Sequence, residues 1–216
     1  MNRATVLACV LLLAACGGSS GGGGGGGNAP QETSAKTVAS NSGDFNGLTS
    51  CPESGSWEDY LKAEQTVNPT QYATDKKDWD NLKAGGANDS YIAVYSDSAT
   101  NCGHFGSDQP TGKVADVYAI RFKDSSSAAA SFKDTSKDFN ITDEELTQIQ
   151  SAGGKVQRGS ATGFGDNSLV VEFSIAGTSF YIAFWQKNKF EIAMIVFNLP
   201  IADGEAAAQK VNSRIT

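Results

Sequence analysis

The chain has 216 residues, 39% of them hydrophobic, and 17 basic against 24 acidic side chains give a formal net charge of −7. That length suffices for one domain with a sizeable core. The acidic balance, with no Lys/Arg cluster, excludes nucleic acid as a partner, because such a surface is repelled by phosphate.

Met1-Asn2-Arg3 opens the chain, and an apolar run from Ala4 to Ala15 follows, broken only by Thr5 and Cys9. One basic residue before a short apolar stretch reads as a secretory signal, too short to cross a bilayer as a mature helix. The run ends in Leu13-Ala14-Ala15-Cys16, which resembles the lipobox of bacterial lipoproteins. The resemblance implies removal of residues 1–15 as a signal peptide and a diacylglyceryl group on Cys16. It also implies a cell-membrane location facing the periplasm or extracellular space. Stable attachment takes two or more acyl chains, so the lipid would be the membrane contact. Cleavage would take Arg3 from the 17 basic residues and none of the 24 acidic ones, moving the net charge from −7 to about −8.

Gly17-Gly18-Ser19-Ser20 and then Gly21 to Gly27 offer no side chains to bury, and the chain stays polar through Ser42. Residues 16–44 are therefore expected to be lipid anchor and flexible linker. A coil of roughly 28 residues spans about 30 Å. The folded ectodomain is expected over 45–216. With Cys9 cleaved off and Cys16 acylated on this reading, Cys51 and Cys102 remain. Outside the cytoplasm they are expected to form a disulfide. It would close a loop of about 52 residues and contribute about 4 kcal/mol.

Ser56-Trp57-Glu58-Asp59 has the form of a capping box, and Trp57, Tyr60 and Leu61 follow at helical spacing. A second helix is predicted over 74–84, with Trp79 and Leu82 inward and Gly85-Gly86 ending it. Tyr91 to Tyr95 and Val114 to Phe122 read as strands from their β-branched and aromatic content. Asp124 opens a helix over about 126–138. Thr142-Asp143-Glu144-Glu145 caps another, which stops at Gly153-Gly154.

Leu169 to Ile175, Phe180 to Trp185 and Phe190 to Phe197 are expected to form an antiparallel meander, turning at Gly177-Thr178 and Lys187-Asn188. Leu169, Val171, Phe173 and Ile175 share one face of the first strand. The other two strands are apolar on both faces, as central strands covered on both sides would be. Asp203 is expected to cap a C-terminal helix with Ala207, Ala208, Val211 and Ile215 inward. Ile120-Arg121-Phe122-Lys123 before Ala128-Ala129-Ala130 is echoed by Ile195-Val196-Phe197-Asn198 before Ala206-Ala207-Ala208, a possible pseudo-repeat of strands followed by a helix.

The expected fold class is α+β, a single antiparallel sheet with helices packed on it. In pattern, over about 125 residues and without a diagnostic motif, this layout resembles the α/β ectodomains of bacterial lipoproteins and extracellular sensor modules of some actinobacterial kinases. That implies binding or sensing in the envelope and transfers no catalytic residue.

Candidate chemistry is sparse. The single histidine, His104, lies in Cys102-Gly103-His104-Phe105-Gly106 without a nucleophile motif beside it, and Asp108 is its nearest acid. Their spacing matches no usual zinc site, and no cofactor or metal is expected. Gly159 to Asn167 looks like a phosphate loop in its first half, but it lacks the Lys-Ser/Thr and leads into a strand. Small residues there could let a ligand reach the backbone beside Phe164. Asp138 to Glu145 resembles a calcium loop without the central glycine, and the capping box explains it better. Tyr181, Phe184, Trp185 and Phe190 are expected in the core. Tyr91, Tyr95 and Tyr118 could line an apolar groove if one sheet face is partly open.

The leading expectation is non-enzymatic capture of a small ligand, lipid or envelope partner. A structural or assembly role is the alternative, and a carboxylate-dependent hydrolase a weaker one. A deep apolar pocket would favour the first, and a shallow surface with one apolar patch the second. Two carboxylates about 5–10 Å apart across a cleft would favour the third.

Overall fold

The computed structural model describes residues 32–102, 112–138, 141–175 and 177–216. Cys16, His104, Asp108 and the middle of the calcium-loop-like string lie outside these residues. No helix among the described residues is long and apolar enough to cross a membrane.

In chain order the elements are α1 (Ala35–Ala39), β1 (Thr49–Ser50), α2 (Trp57–Val67), α3 (Pro69–Ala84), β2 (Ala87–Ser96), α4 (Ala99–Cys102), β3 (Val114–Phe122), α5 (Ser125–Asp138), α6 (Asp143–Ser151), β4 (Lys155–Arg158), a 3-10 turn (Gly159–Thr162), β5 (Ser168–Ile175), β6 (Thr178–Lys187), β7 (Phe190–Phe197) and α7 (Ile201–Ser213). All seven strands join one antiparallel sheet in the order β1-β2-β3-β7-β6-β5-β4, an α+β fold as expected.

The capping boxes form as the sequence implies. Ser56 and Asp59 close the start of α2, and Thr142 and Glu145 that of α6. Asp124 Oδ1 accepts from the Ser127 amide at 2.7 Å to start α5. The second helix begins at Pro69 rather than 74, because Asn68 accepts from the Gln71 amide and proline suits a first helical position. Asp203 does not cap the last helix. That helix starts at Ile201 after Pro200 and has Asp203 in its first turn, where a carboxylate favours the helix dipole.

Each strand divides its side chains between two faces. On one face, α1 and α7 cover Ala93, Tyr95, Val117, Trp185, Met194 and their neighbours. On the other, α2, α3 and α5 cover Ile92, Val94, Ile120 and Phe122, and Ile141 and Ile149 pack with Leu169, Val171 and Phe173. Ile175, expected on that core face, is 53% exposed at the end of β5. The strands-then-helix order recurs, but α5 and α7 lie on opposite faces, so the two halves are not related by symmetry.

The linker does not extend to residue 44. Ser34 caps α1, whose Ala35, Val38 and Ala39 are buried in the main core beside Phe45. Glu32 pairs with Arg121 and Lys189, and the Ala35 amide donates to Asp89 at 2.8 Å. Arg214, just past α7, grips Asp44 through two hydrogen bonds of 2.7 Å and donates to the Val38 carbonyl from Nε and NH2. A short segment that buries three apolar residues and an ion pair belongs to the domain, not to a tether.

Candidate ligand-binding groove

The cysteine pair forms as expected. Cys51 and Cys102 are disulfide-bonded across a separation of 51 residues, fastening the start of the α2–α3 hairpin to α4 beyond β2. Glu53 lies close to both sulfurs, but sulfurs bonded to each other offer no thiolate to a metal.

The three strand tyrosines do not share a groove. Tyr91 and Tyr95 point to the α1–α7 face and Tyr118 to the opposite one, because they fall on opposite parities of the paired strands β2 and β3. Tyr95 is 2% exposed, and its hydroxyl accepts from the Asn41 amide at 3.0 Å, so it is a core residue. Tyr91 is half-buried, with Lys36 Nζ 5.7 Å above its ring. Tyr181, Phe184, Trp185 and Phe190 are buried as expected.

Tyr118 does border a groove. Register sets Tyr118, Ala193 and Phe184 side by side across β3, β7 and β6, with Ile195 and Ile182 in one adjoining row and Ile120 and Glu191 in the other. Ala193 is the smallest of these, so the floor is concave between two aromatic rings. The α2–α3 hairpin supplies one wall through Trp57, Tyr60, Asp75 and Asp78, and α5 supplies the other through Thr135. Phe132 of α5 stacks on Phe184 at 4.7 Å and holds that ring in place. The hairpin and α5 do not meet over this stretch, so Ala193, Ile195 and Ile182 remain only half-buried.

The groove is a cavity of about 60 Å³ that opens to solvent. A cavity of that size has room for a few waters, as one water needs roughly 10–15 Å³ on such a measure. The shape therefore fits a slender chain lying along the floor rather than a bulky body engulfed by it.

Polar groups in this apolar setting are few and specific. Tyr60 donates to Asp75 Oδ2 at 2.8 Å, and Gln71 Nε2 donates to Oδ1 at 2.7 Å, so Asp75 is fully engaged. Glu191 is 3% exposed; Thr135 Oγ1 donates to its Oε1 at 3.4 Å, and its Oε2 is buried with no partner among the described residues. The Trp57 indole N–H is likewise buried and unpartnered. Burial pushes the Glu191 carboxyl up to about 7, and hydrogen bonds from Ser131 and Thr135 offset this in part. Asp116, on the same face two residues before Tyr118, has Oδ1 buried and unpartnered, and burial pushes it up to about 8. Burial raises Tyr118, with the charges of Asp116 and Asp75 adding to the shift.

A raised carboxyl has a defined sign in stability. Unfolded glutamate ionises near pH 4.3, while folded Glu191 keeps its proton to about pH 7. Between those values the unfolded state loses the proton first, so stability falls as pH rises and levels off above the folded value. Glu191→Gln is expected to remove about 3 kcal/mol of that decline, leaving a shallower fall between pH 5 and 8 that comes from Asp116. Denaturant titrations of both forms at several pH values check it. Parallel pH profiles would show that Glu191 is already ionised in the fold.

The opposite face holds a more open and polar cavity of about 460 Å³ beneath α7, lined by Gln157, Thr162, Phe164, Glu172, Tyr181 and Glu205 among others. Phe164 stacks on Trp185 at 4.8 Å and reaches this cavity with its edge, while Gly163 and Gly165 turn the loop with φ of 79° and 102°. Glu172 and Glu205 lie within hydrogen-bonding reach of each other, and burial and the Glu205 charge raise Glu172.

Among the residues lining the α2–α5 groove, Tyr118 was expected to line one and Phe184 was expected in the core. Neither the open floor at Ala193 nor the carboxyl of Glu191 carried a local signal. No protein-family model and no curated protein sequence matches the chain. Among solved structures, it is similar to the extracellular domain of PknH from Mycobacterium tuberculosis, with a TM-score of 0.46 and 12% identity over 85% of this chain and 97% of that one.

Proposed function

We propose that this chain is a non-enzymatic ligand-binding lipoprotein of the bacterial envelope, holding a slender apolar molecule in the groove between α2–α3 and α5. The observation that carries this reading is the concave, half-buried apolar floor around Ala193, beside two polar groups whose hydrogen-bonding capacity is unmet. Such a combination, mostly apolar with a few placed polar groups, is what small-molecule sites use. The lipobox-like Leu13-Ala14-Ala15-Cys16 supports attachment by lipid on Cys16. With the domain beginning by residue 32, the Gly-rich stretch 17–31 would span about 20 Å as a coil. That is shorter than a linker running to 44.

An assembly role is less well supported. Among the described residues Ile175 is the one large apolar side chain that is exposed, a single residue rather than a patch.

Filling the floor tests the binding role. Ala193→Leu points a larger side chain into open space, so its cost to stability should stay within about 1.5 kcal/mol. Affinity for the neutral chain probe dodecanol, read by quenching of tryptophan fluorescence, should fall at least about tenfold. Unchanged affinity in the folded variant would remove the groove as the binding site. Native mass spectrometry of protein from its own or a related host would then reveal whether any molecule co-purifies elsewhere.

A further inference from the structure

We infer that the groove selects an apolar chain carrying a cationic, hydrogen-bond-donating head, an alkylammonium, with the head at Glu191. The inference rests on the groove reading above and adds the chemistry of the ligand. Every titratable group among the described residues lining the groove is an acid or a phenol: Glu191 on the floor, Asp75 and Asp78 from α3, Tyr60 from α2 and Tyr118 from β3. No lysine, arginine or histidine is among the described residues that line it. An anionic head, such as a fatty carboxylate, would meet these carboxyls with nothing to neutralise it.

Glu191 is the group that calls for a donor. It lies at the floor's edge beside Thr135, 3% exposed, and Oε2 has no partner among the described residues. A buried acceptor without a partner is costly; an ammonium N–H donates a hydrogen bond to it, and the ammonium's charge favours the ionised carboxylate. Aromatic rings line the same groove. Trp57 lies 6.0 Å from Tyr60 and 6.3 Å from Tyr118, and a cation within reach of any of these ring faces would be attracted by them. The half-buried strip over Ala193, Ile195 and Ile182 then takes the alkyl chain, at about 0.8 kcal/mol for each methylene buried.

The test compares three probes of one chain length, dodecylammonium, dodecanol and dodecanoate, below their micelle concentrations. Quenching of tryptophan fluorescence reads binding to residues 17–216, which keep every described element and lack both the apolar signal and the acylated cysteine. Dodecylammonium is expected to bind about tenfold or more tighter than dodecanoate, with dodecanol between them. Glu191→Gln should bring dodecylammonium down to the level of dodecanol while leaving dodecanol within about twofold. Dodecanoate binding as tightly as the amine, or an amine affinity untouched by Glu191→Gln, would overturn the inference and leave the groove intact. If none of the three binds, or if Ala193→Leu leaves all three unchanged, the groove reading itself falls.

Discussion

Replacing Arg214 with alanine is expected to lower the midpoint of thermal unfolding by about 10 °C, from a loss of about 3–5 kcal/mol. The Asp44 side chain is 2% exposed, and Arg214 holds it with two parallel hydrogen bonds of 2.7 Å. The same guanidinium satisfies the Val38 carbonyl through Nε and NH2. Truncating Arg214 therefore strands a buried carboxylate and a buried carbonyl together, and the desolvation cost of both is no longer offset. Removing the carboxylate as well, in Asp44→Ala with Arg214→Ala, should recover part of the loss, since an absent charge needs no partner. Calorimetry of the two variants decides the matter. A shift under about 2 °C in the single variant would mean that the pair is solvated and that the segment around α1 is held by its apolar residues alone.

Removing the disulfide by Cys51→Ala with Cys102→Ala is expected to cost about 4 kcal/mol, because the bond closes a loop of 51 residues in the unfolded chain. The bridge has a second consequence specific to this fold. Its loop contains α2, α3 and β2, and α2 and α3 form the wall of the groove that bears Trp57, Tyr60 and Asp75. Hydrogen exchange should therefore quicken more in α2 and α3 than in β6 and β7, which lie outside the loop and in the middle of the sheet. Probe affinity should fall with it, as the wall loses its fixed position. Uniform acceleration across the sheet and both helices would show that the bridge supports the whole domain and has no particular hold on the groove.

The legible parts of this chain were those in which a few neighbouring residues settle the outcome. Ser56-Trp57-Glu58-Asp59 and Thr142 to Glu145 close helix starts through bonds three residues apart. The β5–β6–β7 meander follows from alternating and continuous apolar runs joined by short turns. Asn68-Pro69 was a start signal of the same local kind, and weighting it would have placed α3 correctly. The segment 35–39 was obscured by its setting, since five residues among serines and threonines make a weak pattern. What makes that segment part of the core is a partner about 170 positions away, Arg214, through its bond to Asp44.

The amino-acid sequence by itself determined the α+β class, the antiparallel meander, the local caps and the pairing of the two downstream cysteines. Each depends on periodicity, on groups close in the chain, or on counting. Only the tertiary structure decided that Tyr91 and Tyr95 lie on one face and Tyr118 on the other, because parity within a strand is local but register between strands is not. It alone decided that Ala193 falls between Tyr118 and Phe184, which opens the groove, and that Glu191 is buried at its edge with one oxygen unmet. A cleft is a gap between elements distant in the chain. Its depth and charge come from how α2–α3 and α5 are spaced on the sheet, a quantity that no run of neighbouring residues encodes.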